Sequence, residues 1–276
     1  MNVKLFVNDI SVIDCSLLSK KEGIVGESWS VDIELIGELN TDGMLFDFAD
    51  VKGQIKKVLD DLIDHRLLVP TKSDFVSIIK EADSVNLQAE TVVGGILIES
   101  PSQGFCFIDT DVIDTASVTV YAESVLAKVL PDNIVSVSVN LRADRERAHC
   151  RYSHGLKKHK GNCQRIAHGH RSILEITEPC ETGLEKQWLN LLDGKYIANR
   201  ADVIDHGNDR LTIGYKAKQG QFRLEMPGIL VYVIDADPTV ENIVCHIANK
   251  IKQQSKISGL LVKMYEGVGK GAMIKI

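Results

Sequence analysis

Histidine residues cluster in one stretch of the sequence, between Tyr152 and Ile176. His168 and His170 are two positions apart, so both side chains would leave the same face of a strand that begins there. His154 lies fourteen residues before His168, which is enough chain for a return to the same place. Three neutral imidazoles with one open position form the ligand set of a catalytic zinc ion. The stretch is therefore a candidate zinc site.

A cysteine, Cys163, lies between the first histidine and the closely spaced pair. A thiol near a zinc ion and basic residues has a lowered pKa and can act as a base or a nucleophile. A simpler interpretation stands beside this one, because His-x-His pairs are common by chance and His154 alone would more often be a surface residue. We interpret His159 as a surface residue. The neighbouring lysines are most simply solvated loop residues: Lys157, Lys158 and Lys160.

The overall composition favours a soluble protein over a membrane protein or a nucleic-acid-binding protein. Of 276 residues, 44% are hydrophobic and 25% are charged, the balance of a soluble globular protein. No run of 18 apolar residues occurs, so no segment predicts a membrane span. The net charge of −6 argues weakly against a nucleic-acid surface. The first ten residues lack the features of a secretory signal, so we expect a cytoplasmic protein whose six scattered cysteines stay reduced.

Three segments of the first half recur in the second half. The recurring pairs are 26–35 with 169–176, Ile63-Asp64-His65 with Ile204-Asp205-His206, and 120–130 with 238–251. The first two pairs are offset by similar distances, and the third by a shorter one. A divergent duplication explains this pattern. We therefore predict two domains, residues 1–144 and residues 145–276.

Each half shows a similar order of strand and helix patterns. Alternating apolar residues predict two strands, which are followed by a helix, further strands and a second helix. In the first half, helical spacing of apolar residues supports the first helix: Val51, Ile55, Val58, Leu59 and Leu62. In the second half, Asp237-Pro238 is a good start for the last helix. The order predicts an α+β fold in which each unit has an antiparallel four-stranded sheet with two helices on one face.

The second half resembles the 6-pyruvoyl-tetrahydropterin synthase family, which includes the 6-carboxytetrahydropterin synthases of queuosine biosynthesis. The family pattern has a first zinc histidine, a catalytic cysteine and a His-Gly-His, which correspond to His154, Cys163 and His168-Gly169-His170. A family helix start, Pro-Thr-x-Glu-Asn, corresponds to residues 238–242 and includes Glu241. The glutamate that anchors the pterin in the family corresponds to Glu266. The resemblance implies the family's tandem T-fold architecture.

The first half resembles a different part of the same family pattern. Its Gly-Met-x-x-Asp-Phe segment and its catalytic Asp-His correspond to residues 43–48 and to Asp64-His65. Where His-Gly-His would stand, the first half has Val25-Gly26-Glu27, and we place the first-histidine position within residues 6–10, which contain no histidine. The second half lacks the Gly-Met-x-x-Asp-Phe segment. The resemblance thus implies one site shared between the halves, with Asp205-His206 as a possible substitute for Asp64-His65.

The resemblance also implies a reaction. The substrate would be 7,8-dihydroneopterin triphosphate, which loses triphosphate and becomes a tetrahydropterin, with 6-carboxytetrahydropterin favoured over 6-pyruvoyl-tetrahydropterin. Cys163 would take a proton from a side-chain carbon, and His65, held by Asp64, would move a proton at an oxygen. Glu266 and Glu241 would bind the N–H edge of the pterin. Five basic residues are candidates for the triphosphate: Lys157, Lys158, Lys160, Arg165 and Arg171.

Other functions and the assembly stay open. A non-catalytic pterin-binding or interaction protein of the same fold is one alternative, and a zinc hydrolase is another. Two units are too few to close the barrel of the family, so we expect a homo-oligomer, because closure removes open sheet edges. Whether the active site lies within one chain or between chains is not fixed by the sequence.

Overall fold

The computed structural model describes residues 2–158, 165–177, 183–207, 209–254 and 259–276, apart from the side chains of residues 48–50. Cys163, His159 and Lys160 lie outside these residues. The described part has a mixed α+β architecture with four helices and four sheets. In this part of the chain, no helix is both long enough and apolar enough to cross a membrane.

The first half forms a five-stranded sheet covered by two helices. Its strand order is β7-β3-β1-β2-β8. The strands and helices are β1 (Asn2–Ser19), β2 (Gly23–Glu38), α1 (Phe48–Leu62), β3 (Leu67–Pro70), β7 (Phe105–Ile108), α2 (Thr115–Leu126) and β8 (Ile134–Arg142). The helical spacing is confirmed, since Val51, Ile55 and Leu59 of α1 are fully buried against the sheet. The sheet is not wholly antiparallel, because β3 runs parallel to both β1 and β7 after α1 carries the chain back along the sheet.

The second half repeats these strand pairings. Its elements are β9 (Cys150–His154), β10 (His168–Ser172), β11 (Leu174–Thr177), α3 (Leu184–Leu192), β12 (Tyr196–Asn199), β16 (Val231–Ile234), α4 (Val240–Gln254), β17 (Leu261–Tyr265) and β18 (Gly271–Lys275). β9 pairs antiparallel with β10 and parallel with β12, as β1 does with β2 and β3. β12 pairs parallel with β16, as β3 does with β7. β11 pairs antiparallel with β17, as β2 does with β8.

A six-stranded sheet built from both halves is a feature that sequence analysis did not predict. Its order is β13-β14-β15-β6-β5-β4. Its strands are β4 (Val76–Lys80), β5 (Val85–Thr91), β6 (Gly94–Ser100), β13 (Val203–Gly207), β14 (Arg210–Ala217) and β15 (Gly220–Pro227). The halves join where β6 pairs with β15, with Ile98 opposite Leu224. One face of this sheet covers a core that contains residues of both halves, so the two halves are packed together.

The main sheets of the two halves approach each other very closely at two glycines. A Cβ atom at Gly26 of β2 would lie 1.9 Å from the carbonyl oxygen of Tyr152, and one at Gly169 of β10 would lie 2.4 Å from the Cα of Gly26. Beside them, the hydroxyls of Ser16 and Ser153 are 2.8 Å apart. A buried two-bond ion pair joins Arg171 to Glu27 at 2.6 and 2.7 Å. This contact positions the site described below.

A Gly26→Ala substitution is therefore expected to lower the free energy of unfolding. The new methyl group would meet backbone atoms, which cannot move aside as a flexible side chain can. We expect a loss at the upper end of the range of about 1–3 kcal/mol that overpacking usually costs. Chemical denaturation would measure this change.

Gly53→Ala is the matched control. Gly53 is an exposed residue within α1, and no atom lies within 4 Å of its ideal Cβ. Alanine has a better helix propensity than glycine, so this variant should gain about 0.5–1 kcal/mol. Equal stability of the two variants would contradict the close approach of the two halves at Gly26.

Candidate metal and catalytic site

Three buried histidines come together on two paired strands. His154 ends β9 and pairs directly with His168 of β10, while His170 lies two residues further along β10. All three are at most 2% exposed. Their candidate ligand atoms all lie within 4.8 Å of one another, and the Nε2 atoms of His154 and His170 are 3.1 Å apart. His168 and His170 share one face of the strand, as their spacing predicts.

The three histidines fit the ligand requirements of a zinc ion. Zn–N bonds of 2.0–2.1 Å in a tetrahedral arrangement place ligand nitrogens about 3.3 Å apart, close to the 3.1 Å between the Nε2 atoms of His154 and His170. The Nδ1 atom of His168 is buried and makes no hydrogen bond within the described residues. Burial lowers the pKa of His168 well below its usual value, and the neighbouring histidines His154 and His65 add to this effect. The neutral imidazole favoured by this shift is the form that binds metal.

An aspartate–histidine dyad from the first half lies beside the three histidines of the second half. Asp64 and His65 follow the end of α1, and the Oδ2 atom of Asp64 is 2.6 Å from the Nδ1 atom of His65. The ring centroid of His65 is 4.9 Å from that of His168 in an edge-on arrangement. The structure thus brings Asp64-His65 and the histidine cluster together within a single chain.

Backbone contacts with β1 and with Arg165 hold this dyad in place. The N–H of Asp14 donates to Oδ1 of Asp64 at 2.8 Å, and the N–H of His65 donates to the carbonyl of Asp14 at 2.7 Å. The buried Arg165 of the second half donates to the carbonyl of Asp64 at 2.8 Å. His65 has a positive φ of 56°, a conformation that costs a non-glycine residue about 1–2 kcal/mol. Contacts from both halves thus keep His65 in this conformation.

The structural counterpart of the dyad in the second half is Asp193-Gly194, not Asp205-His206. The N–H of Arg151 donates to Oδ1 of Asp193 at 2.8 Å, and the N–H of Gly194 donates to the carbonyl of Arg151 at 2.8 Å. These are the same two bonds that Asp14 makes with Asp64 and His65. Asp205 and His206 lie exposed on β13, so the predicted equivalence was wrong.

The strand registers identify the first-half counterparts of the three histidines. Ser16 pairs with Gly26 and Leu67, as Ser153 pairs with Gly169 and Tyr196. The positions of the histidines are therefore occupied by Leu17, Val25 and Glu27. The prediction that Val25-Gly26-Glu27 replaces His-Gly-His is confirmed. The position that corresponds to the first histidine is Leu17, so its placement within residues 6–10 was wrong. The correct position follows only from the pairing of the strands, which the sequence does not show.

Glu266 lies at the edge of the histidine cluster, in a turn that joins β17 to β18. Its Oε1 atom is 3.9 Å from the Nε2 atom of His170, and its side chain is about one quarter exposed. Glu241 is exposed in the first turn of α4. Burial raises the pKa of Tyr152 well above its usual value, and the negative charges of Glu266 and Glu241 contribute to this shift. Of the two carboxylates, Glu266 is the one that lies beside the histidines.

Most of the basic residues suggested for triphosphate binding are engaged elsewhere. Arg165 is buried and donates a hydrogen bond to the carbonyl of Asp64. Arg171 is buried and forms an ion pair with Glu27. Lys157 is paired with the buried carboxylate of Asp202. These three assignments were wrong: Arg165 and Arg171 are buried where the halves meet, which the sequence does not show, and Lys157 is held by a carboxylate of its own half. Lys158 is exposed, and Lys160 lies outside the described residues.

Two residues near the histidines were missed by sequence analysis. Asp14 is a buried carboxylate 3.3 Å from the Nδ1 atom of His170. Tyr152 packs against the rings of His154 and His170, with centroids 5.7 and 5.5 Å away. The one available signal was a charged residue within an otherwise apolar strand pattern around Asp14.

Comparisons with known proteins give consistent matches. The 6-pyruvoyl tetrahydropterin synthase family pattern matches residues 12–127 and 145–275. A putative 6-carboxy-5,6,7,8-tetrahydropterin synthase from Pyrococcus horikoshii is 33% identical over 89 residues, which is 30% of this chain. The match covers 52% of that relative, so the chain spans about half the length of the curated relative it matches.

Solved structures of 6-pyruvoyl tetrahydropterin synthases are also similar to this chain. The enzyme from Plasmodium vivax is 18% identical with a TM-score of 0.43, covering 53% of this chain and 94% of that chain. The enzyme from Plasmodium falciparum is 16% identical with a TM-score of 0.40, covering 51% of this chain and 98% of that chain.

Proposed function

The chain belongs to the 6-pyruvoyl tetrahydropterin synthase family, and from this premise we propose that it is a zinc-dependent tetrahydropterin synthase. Its substrate is 7,8-dihydroneopterin triphosphate, which loses triphosphate in the reaction. The observation that carries the proposal is the position of His65, 4.9 Å from the ring of His168 in the histidine cluster. A dyad that is able to move protons thus lies beside a histidine cluster that is able to hold a metal ion, which supports the proposal.

We further propose that the chain consists of two tandem T-fold units, residues 1–144 and residues 145–276, that have specialised. The repeated strand pairings support a common origin for the two units. The first unit keeps Asp64-His65 but has Leu17 where the second has His154. The second unit keeps the histidines but has Gly194 where the first has His65. Each unit lacks what the other supplies, so one complete site remains.

The residues of this site have distinct roles in the proposed reaction. His154, His168 and His170 hold the zinc ion, which supplies Lewis-acid chemistry to the side-chain hydroxyls of the substrate when bound. His65, oriented by Asp64, moves a proton at a substrate oxygen.

The remaining roles are the removal of a proton from a substrate carbon and the binding of the pterin ring. Cys163, as a thiolate, takes a proton from a side-chain carbon of the substrate. Glu266 and Glu241 accept hydrogen bonds from the N–H groups of the pterin.

A Cys163→Ala variant is expected to keep its zinc and its fold while losing most of its turnover. We expect a loss of about 10²–10⁴-fold, the usual contribution of a general base. Release of triphosphate and zinc content would be measured together. Cys245→Ala is the control, since Cys245 lies half-buried on α4 and has no role in the proposal. Wild-type turnover in Cys163→Ala would remove this cysteine from the mechanism.

The product is proposed to be 6-carboxytetrahydropterin, with 6-pyruvoyl-tetrahydropterin as the second candidate. The name of the Pyrococcus horikoshii relative favours the carboxy product. Mass spectrometry of the product, with an assay for released acetaldehyde, distinguishes the two. Acetaldehyde equal in amount to the triphosphate supports the carboxy product, and its absence supports the pyruvoyl product.

We propose that the chain works in the cytoplasm as a homo-oligomer. β8 and β18 end their sheets within the described residues, and pairing of such edges between copies would close a barrel. Light scattering of the purified protein measures the copy number. A monomer with full activity would contradict the oligomer and leave the rest of the proposal intact. A folded chain that binds pterin without turnover would support the non-catalytic alternative.

A further inference from the structure

Asp14 of β1 is a buried carboxylate that contacts three separate parts of the proposed site. Its Oδ1 atom lies 3.3 Å from Nδ1 of His170 and accepts a hydrogen bond from the hydroxyl of Ser28 at 2.5 Å. Its Oδ2 atom lies 3.1 Å from Nζ of Lys270, in the turn that carries Glu266. Its backbone holds Asp64 and His65, as described above. The side chain of Asp14, in the first half, therefore contacts His170, in the second half.

The contact with His170 concerns the tautomer of its imidazole ring. A neutral imidazole carries one proton, and the nitrogen that binds a metal must be the one without it. The Nε2 atom of His170 faces Nε2 of His154 at 3.1 Å, so Nε2 is the ligand atom. The proton then belongs on Nδ1, where a neighbouring carboxylate can accept a hydrogen bond but cannot donate one.

The carboxylate is fixed in its position by its surroundings. Gly267 has a positive φ of 71°, and a Cβ atom there would lie 2.2 Å from Oδ1 of Asp14. The turn thus closes directly onto the carboxylate. The hydroxyl of Ser28 and the ammonium of Lys270 contact its two oxygens, and Asp14 is only 2% exposed. The group therefore cannot turn towards solvent.

The contact does not yet have full hydrogen-bond geometry. The Nδ1 atom of His170 makes no well-aligned hydrogen bond in the described part of the chain. At 3.3 Å the contact between Nδ1 of His170 and Oδ1 of Asp14 is electrostatic.

We propose that Asp14 is a positioning residue that keeps His170 in the tautomer required for metal binding. The first half, which supplies none of the three histidines, would thereby set the metal affinity of the second half. This inference rests on the proposed zinc site. Carboxylates that accept from a metal-binding histidine typically change metal affinity about 10–100-fold when they are removed.

The test is the zinc affinity of an Asp14→Asn variant, measured by competition with a chelator of known affinity. Asparagine has the same shape, but it lacks the negative charge, and its amide oxygen is a weaker hydrogen-bond acceptor for the N–H of His170 than a carboxylate is. We expect zinc to bind about 10–100-fold more weakly. Asp32→Asn is the matched control, since Asp32 lies on the same sheet and pairs with Arg142 away from the histidines. Its zinc affinity should stay within about twofold of wild type.

A second measurement does not depend on the folding of any variant. In wild-type protein without added metal, ¹⁵N NMR of the histidine rings reports the tautomer of each. The proposal requires a proton on Nδ1 of His170, and a proton on Nε2 instead would overturn it. Wild-type zinc affinity in Asp14→Asn would overturn this inference alone. A wild-type chain that binds no zinc would overturn the proposed function as well.

Discussion

Replacing His65 by alanine is expected to reduce turnover by about 10²–10⁴-fold and to leave zinc binding unchanged. A positioned acid–base group contributes about this much to a reaction rate. His65 lies beside His168 but is not one of the three clustered histidines that could hold a metal ion. Steady-state release of triphosphate, with zinc content determined on the same sample, gives both quantities.

His206→Ala is the matched control for this prediction. His206 follows Asp205 as His65 follows Asp64, within the same tripeptide, but it lies exposed on β13. Its loss should leave turnover within about twofold of wild type, as expected for a surface substitution. Full activity in His65→Ala together with an inactive His206→Ala would refute the shared site. The second half would then work without the first.

Replacing His168 by alanine is expected to remove both the bound zinc and the activity. His168 pairs with His154 across β9 and β10, and its loss leaves two imidazoles for the ion. A site with two ligands no longer has the three protein ligands of a catalytic zinc centre. Metal analysis after dialysis should show less than about a tenth of an equivalent per chain.

His246→Ala serves as the control for the loss of zinc. His246 is half-buried on α4 and is hydrogen-bonded to the hydroxyl of Tyr232 at 2.9 Å, apart from the three-histidine cluster. This variant should retain its full zinc content. A His168→Ala protein that keeps its metal would show that the ion is bound elsewhere.

The sequence predicts local structure and local ligand geometry well. Apolar spacing in α1 predicts which face is buried, because a helix has a fixed period. Likewise, the two-residue spacing of His168 and His170 determines a common face, because a strand has a period of two. Val25-Gly26-Glu27 could be aligned with His-Gly-His because both segments lie on regular strands that pair antiparallel with the strand before them.

Contacts between the halves could not be predicted in the same way. The β6–β15 pairing joins residues more than a hundred positions apart, and nothing in either segment specifies the other. Arg165 and Arg171 have the composition of solvated basic residues, and only the contact between the halves buries them. The identity of the tripeptides at 63–65 and 204–206 was misleading, since equivalent positions are defined by hydrogen bonds, and these select Asp193-Gly194.

The most direct test of a single zinc-dependent active site per chain is a titration of metal-free protein with zinc while it converts 7,8-dihydroneopterin triphosphate. The three histidines are the one cluster in the described part of the chain that could hold a metal ion. Release of triphosphate should therefore rise in proportion to added zinc and level off at about one equivalent per chain. Turnover without zinc, no turnover at saturation, or a plateau at about two equivalents would contradict a single catalytic zinc site per chain.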